Sequence, residues 1–303
     1  MGKLSPVLVV VLLLLPIMGH GYWIYTLGLS FANAIAILSV SFLVRYSGEV
    51  SIGHGVFVAV GAYAVALCER YAGVSLAASL PLAVILGALL GLVFAFPSRK
   101  LSGISLAVVT MALALALPEL LLHFSKISGG YEGLYVKLPL IPLGPDALQR
   151  YYVPLFCLLA VVAVLRHFRQ SRQAMAMLLA RTSSHAAESF GIGRSWARLS
   201  CMAISTAIAS LAGALQAFSS STVSPNSFTM WTSIFLLVGS VVSMYSLSLV
   251  GGLIGGLFLT LIPLLLAGAG NWVPVLYGAA LLAVVLAANV LPSLRLHTNG
   301  GKK

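Results

Sequence analysis

Long apolar runs recur along this chain, broken by short joints rich in glycine, serine or basic residues. A helix that crosses the hydrocarbon core of a bilayer needs about 20 mostly apolar residues. Ten runs meet or approach that length: 4–19, 23–44, 52–68, 76–97, 103–123, 151–166, 198–218, 230–247, 250–268 and 272–292, the first and sixth being short. They predict an all-α, polytopic transmembrane bundle of about ten spanning helices, forming a single domain over residues 1–303. The stretch 45–56 interrupts the pattern and reads as a re-entrant or broken segment.

Three joints are long enough to have structure of their own. Residues 125–150 contain a glycine pair, two further glycines and three prolines, so they are turn-rich and expected to fold against the membrane surface. Residues 219–229 are polar and nearly uncharged. Residues 167–197 form a polar island that includes "LARTSSHAAESFGIGRS", with Arg181, His185, Glu188 and Arg194 close together. Within the runs, small residues recur every fourth position: Ser205, Ala209, Gly213 and Ala217, and the pairs Gly87/Gly91, Gly251/Gly255 and Gly252/Gly256. Such stripes let helix backbones approach closely in lipid, and packing alone explains them.

Composition agrees with lipid as the solvent. Charged residues make up 8% of the chain and mean hydropathy is +1.06. The net charge of +11, from 17 basic and six acidic residues, would suggest nucleic acid in a soluble protein. In a membrane protein it reflects basic residues held on the cytoplasmic side, and no basic domain interleaved with aromatics is present. With residues 167–197 inside, the cytoplasmic face holds Lys3, Arg45, Arg99, Lys100, Arg166, Arg169, Arg172, Arg181, Arg194, Arg198, Arg295, Lys302 and Lys303. The outer face holds Arg70, Lys126, Lys137 and Arg150. This asymmetry predicts a multi-pass protein with both termini cytoplasmic and with 125–150 and 219–229 as outer loops. The start resembles a signal peptide but lacks a small-residue cleavage pattern, so a retained first helix is expected. Cys68, Cys157 and Cys201 are scattered and read as packing residues.

Catalytic signals are poor. The chain contains no H-E-x-x-H, G-x-S-x-G or G-x-x-x-x-G-K-[ST] motif. Paired intramembrane carboxylates are missing, which argues against a proton-coupled carrier. Glu119, after Pro118, reads either as lining a cavity beside a kink or as an interfacial glutamate that snorkels. "SSHAAESFG" reads as a short helix, capped by Ser183 or Ser184 and ended at Gly191 in the left-handed conformation. Ala186, Ala187 and Phe190 give it an apolar side, suited to a groove on another protein or to the bilayer surface.

Several segments, in order, resemble one family, the M-type permease subunits of branched-chain amino-acid ABC importers. "VRYSGEVSIGHGVFVAVGAYAVAL" (Val44 to Leu67) is similar to its G-Y-A-G-Q-L-S-L-G-H…G-A-Y segment. "SGISLAVVTMALA" with "SGGYEGL" is similar to its fifth helix and the following outer loop. "AAESFGI" resembles the A-A-E-A-L-G-I of its cytoplasmic coupling loop, and "LAGALQAF" with "VSPNSF" its next helix and outer turn. Departures occur at Arg45 and Glu49, where the family has glycine and glutamine, and in the two acids missing before Ala186. A third is "VSMYSLS" (Val242 to Ser248), where the family reads V-L-G-G-L-G-S.

The resemblance implies a non-enzymatic transporter subunit in the cytoplasmic membrane of a bacterium or archaeon. It would form the path for branched-chain amino acids or a related small polar solute, and itself hold no cofactor. Its implied partners are a second permease subunit, two cytosolic ATPases that bind ATP, and an extracytoplasmic solute-binding protein. Arg181, Ser184, Ala187, Glu188, Phe190 and Gly191 become candidates for ATPase coupling, and Gly53, His54, Asn33 and Glu119 for the translocation path. Two other readings stay open: a non-transport membrane protein on a permease scaffold, and a self-sufficient carrier or channel.

Overall fold

A computed structural model describes residues 4–18, 21–98, 104–136 and 146–266, with Val275, Gly278, Ala279 and Leu282 as isolated positions. The expected span at 272–292, both chain ends and the centre of the 125–150 loop lie outside the described residues. In chain order the helices are α1 (Leu4–Met18), α2 (Gly21–Ser47), α3 (Gly55–Ala72), α4 (Leu76–Ser98), α5 (Ile104–His123), α6 (Ser125–Ser128), α7 (Asp146–Phe168), α8 (Arg172–Thr182), α9 (Ser184–Ser189), α10 (Arg194–Ser220), α11 (Met230–Val242) and α12 (Leu249–Leu266). Two short strands, β1 (Leu134–Tyr135) and β2 (Thr222–Val223), complete the set with two 3₁₀ turns. The protein is an all-α polytopic bundle. Six described helices, α2, α3, α4, α5, α7 and α10, are long and apolar enough to cross a membrane, and α11 and α12 are shorter apolar helices.

The 27-residue helices α2 and α10 form the centre, each about 40 Å long. Helix α10 packs against α2, α3 and α4, while α2 also meets α7 and α12. Small residues determine these contacts. A Cβ on Gly87 or Gly91 of α4 would collide with Ser210 or Thr206 of α10, and one on Gly213 of α10 would collide with the carbonyl of Val58 in α3. On α12, Gly252 lies against Leu38 and Gly256 against Ser30 and Ala34, both surfaces of α2. Apolar burial gives no preference for protein over lipid inside a bilayer, so close backbone approach and van der Waals contact select the partners. The outward faces of α4 and α5, with Ile85, Leu89, Val93, Phe96, Val108 and Leu115 exposed, have the character of lipid-facing surfaces.

The two expected outer loops are joined to each other. Leu134 pairs with Val223 and Tyr135 with Thr222 in an antiparallel register, and Val136 N–H donates to the Ser221 carbonyl at 2.9 Å. Arg150, at the start of α7, donates to the Ser219 carbonyl at 2.9 Å and to the Ser221 hydroxyl. Gly133 has φ +73°, and a side chain there would run into the Val223 carbonyl. This small structure closes one end of the bundle. Helices α8 and α9 lie at the other end, beyond the start of α10.

Two apolar runs are shorter as helices than as sequence patterns. The run 52–68 becomes α3 only from Gly55, because residues 48–54 leave the helical path. The run 230–247 ends as a helix at Val242, because residues 243–248 form a turn. In that turn Met244 (φ +54°) and Tyr245 (φ +49°) are both left-handed. They occupy the places where the resembling family has its adjacent pair of glycines, so the backbone keeps a glycine conformation on side chains that disfavour it.

Candidate functional site

Residues 48–54 form the re-entrant stretch that the pattern suggested. Helix α2 ends at Ser47, yet His54 contacts Ser39, more than two turns back along α2 and so about 12 Å deeper in the bundle. The segment therefore turns back between helices before α3 begins. Its backbone polar groups need partners there, since lipid offers none. Helices α5 and α11 supply them: Ile52 N–H donates to the Thr110 hydroxyl at 3.1 Å and Gly55 N–H to the Ser233 hydroxyl at 3.1 Å. Gly53 is required sterically, because a Cβ would collide with the Thr110 carbonyl.

His54 is fully buried, with Nε2 at 3.0 Å from Ser39 Oγ and 3.3 Å from Ser205 Oγ. Both hydroxyls already donate to carbonyls, Ser39 to Ala36 at 2.6 Å and Ser205 to Ser39 at 2.7 Å. The imidazole must then donate from Nε2, which makes Nδ1 the acceptor. Nδ1 is buried without a partner, as is Ser51 Oγ in the same segment. Four helices, α2, α5, α10 and α11, thus converge on a polar seam that has unused hydrogen-bonding capacity. Sequence reading picked out Gly53 and His54 and missed Ser39, Thr110, Ser205 and Ser233. Ser205 was visible only as one of a stripe of small residues.

Asn33 lies toward the opposite end of α2. Its amide donates to Thr260 Oγ1 of α12 at 2.9 Å and accepts from Gln216 Nε2 of α10 at 2.7 Å. All three residues are half-buried, so this second polar cluster borders open space. Gln216, a lone amide within a span, was the signal available for it. Glu119 joins neither cluster: it is exposed on α5.

At the other end, α8 and α9 form a compact elbow. The Ser183 hydroxyl accepts from Ala186 N–H at 3.3 Å and so caps α9. Gly191 has φ +75°, and Ile192 N–H returns to the Ala187 carbonyl at 2.9 Å. The apolar side expected for this helix is divided. Ala187 is completely buried within the chain, while Phe190 is 75% exposed. Glu188 is exposed, Ser184 half-buried, and Met175 on α8 is also exposed. Arg181 turns back to donate to the Arg45 carbonyl, with its stem against Gly48. An ion pair between Glu49 and Arg198 then ties the re-entrant segment to the first turns of α10. The elbow is thereby linked to the re-entrant segment, and through it to the seam around His54. Among the described residues no three His, Cys, Asp or Glu side chains gather as a metal site.

Comparison with known proteins fits this geometry. A family model for the branched-chain amino acid transport system permease component matches residues 22–288. Two similar curated proteins share the printed name high-affinity branched-chain amino acid transport system permease protein LivM, one from Salmonella typhimurium and one from Escherichia coli. Each is 30% identical over 226 residues, covering 66% of this chain and 53% of the relative. The chain spans about half the length of the curated relatives it matches. No solved structure matches it significantly. The family match takes in every helix described from α2 to α12, and the chain is an integral membrane protein that belongs to the branched-chain amino acid transport permease family.

Proposed function

We propose that this chain is a permease subunit of an ATP-binding-cassette importer. It forms, with a second permease subunit, the path for branched-chain amino acids or a related small polar solute. It hydrolyses nothing itself; ATP binds to two cytosolic ATPases, and a solute-binding protein delivers cargo from outside. The protein sits in the cytoplasmic membrane of a bacterium or archaeon with α8, α9 and both termini inside. The observation that carries this reading is the α8–α9 elbow. It presents Phe190, Met175 and Glu188 outward and is fastened inward through Arg181 to the end of α2. Exposed apolar side chains and a carboxylate on one short element suit a groove on a partner, and the inward ties let movement of that partner reach the bundle.

The test is reconstitution. The complex is purified from native membranes, its subunits and the solute in its binding protein are identified, and it is placed in liposomes. ATP-dependent uptake that stops when the ATPases are stripped away is the expected result. Uptake by this chain alone, indifferent to ATP, would instead make it a self-sufficient carrier.

A further inference from the structure

Two cavities flank the ion pair between Glu49 and Arg198. One opens toward the elbow and is bordered by Ser47, Met177, Arg181 and Arg194. The other lies deeper, toward α4 and α5, and is bordered by Ser51, Phe94, Thr110 and Met202. Glu49 and Arg198 border both, and they alone are common to the two linings. The deeper cavity adjoins the seam around His54, since Thr110 Oγ1 also holds the backbone of Ile52. The pair therefore stands between the cavity beside Ser51 and Thr110 and the cavity beside α8.

We propose that the Glu49–Arg198 pair is a gate, and that its separation joins the two cavities into one passage. The two partners hang on different arms. Glu49 follows Gly48, over which Arg181 of α8 is clamped. Arg198 stands one turn into α10, which follows α9 after the bend at Gly191 to Gly193. Displacement of the elbow thus pulls the two charges along separate routes. The side chains are 12% and 16% exposed, so water reaches the pair only in part. In such a place removal of the Glu49 charge weakens the tie to Arg198 and lets water in between the two arms. The family segment that this stretch resembles has glutamine at position 49, so the gate is a property of this chain. The identity of the driver rests on the proposed function; the gate itself does not.

The experiment places a reporter behind the gate. Ser51→Cys is introduced into the full chain with Cys68, Cys157 and Cys201 replaced by alanine, in membrane vesicles that present α8 and α9 to the medium. A charged, membrane-impermeant thiol reagent is added without ATP. Glu49→Gln, which keeps the shape and removes the charge, is expected to speed labelling of residue 51 about tenfold. Combining Glu49→Arg with Arg198→Glu is expected to return the rate to that of the parent. Labelling at the parent rate in Glu49→Gln, or a charge-swapped chain as reactive as the single variant, would overturn the gate. In a second arm, Glu49→Cys and Arg198→Cys are bridged by a short, reducible bis-thiosulfonate linker in the reconstituted complex. Uptake by the bridged form is expected to fall well below that of the same double-cysteine complex after reduction. Undiminished ATP-driven uptake in the bridged form would sink the gate and leave the transporter reading standing. Absence of ATP-driven uptake by the unbridged parent would sink the transporter reading, while the labelling arm still decides the gate.

Discussion

At the scale of single residues, function and strain meet where backbone has no room or no comfortable conformation. Gly53 has no space for a Cβ, so Gly53→Ala must push α5 away from the re-entrant segment. The expected cost is about 1–3 kcal/mol, typical of overpacking, read as a lower melting temperature in detergent. Gly73, left-handed at the end of α3 with open space around it, offers the contrast: its substitution meets only the φ penalty. Met244 is also left-handed, and 65% exposed, so it contributes little packing there. Met244→Gly is expected to raise stability by about 1 kcal/mol and Met244→Val to lower it, measured by thermal unfolding. A Met244→Gly protein that melts below the parent would show that the side chain has a packing role that outweighs the strain. None of this was legible in the sequence. An ordinary methionine and tyrosine carry no mark of positive φ; the sole hint was that a related sequence has glycine at those places.

At the scale of elements, periodicity and length located the helices well because lipid imposes one rule on every span. The apolar pattern could not separate helix from buried non-helix. Residues 52–54 and 243–247 extend their apolar runs in sequence, yet both leave the helical path: Ile52 N–H turns to the Thr110 hydroxyl of α5, while the N–H groups of residues 243–246 bond back to carbonyls of their own segment. The α8–α9 elbow was readable in outline, since Ser183 and Gly191 are punctuation of a familiar kind. Its facing was not: Ala187 turns inward because α9 packs on α8 and α10, a tertiary fact. Ala187→Trp should therefore disturb the chain's own packing as well as any partner contact. Helix contacts give a cleaner prediction. Gly91→Leu on α4 would strike Thr206 of α10 and is expected to lower the yield of folded protein severalfold in size-exclusion chromatography. Leu89→Val, on the exposed side of the same helix, is expected to leave the yield unchanged. Equal yields for both would mean that α4 does not dock through its glycines.

For the whole molecule, the central claim is that a bundle tied at one end by the β1–β2 pairing is worked from the other end through α8 and α9. Basic residues outnumber acidic ones at the α8–α9 end, and the proposed orientation, with that end in the cytoplasm, follows the positive-inside rule. A cysteine at Ser184 should accordingly be labelled only from the cytoplasm and one at Ser227 only from outside. Labelling of both from one side would contradict the arrangement. Family membership was legible through the ordered run of segments from Val44 to Phe228, because their order and spacing survive where single motifs drift. The polar seam was not, because its serines and threonines resemble packing residues until the helices are assembled. The most direct measurement compares Phe190→Ala and Glu188→Ala with the parent for accumulation in membranes, ATPase retention and ATP-driven uptake. Both side chains are exposed, so folding and insertion should be preserved. The account predicts normal accumulation with ATPase retention and uptake reduced together, about tenfold for loss of a buried aromatic anchor at an interface. Full uptake with full retention in both variants would mean that the elbow is an ordinary surface, and the account of how this permease is driven would be wrong.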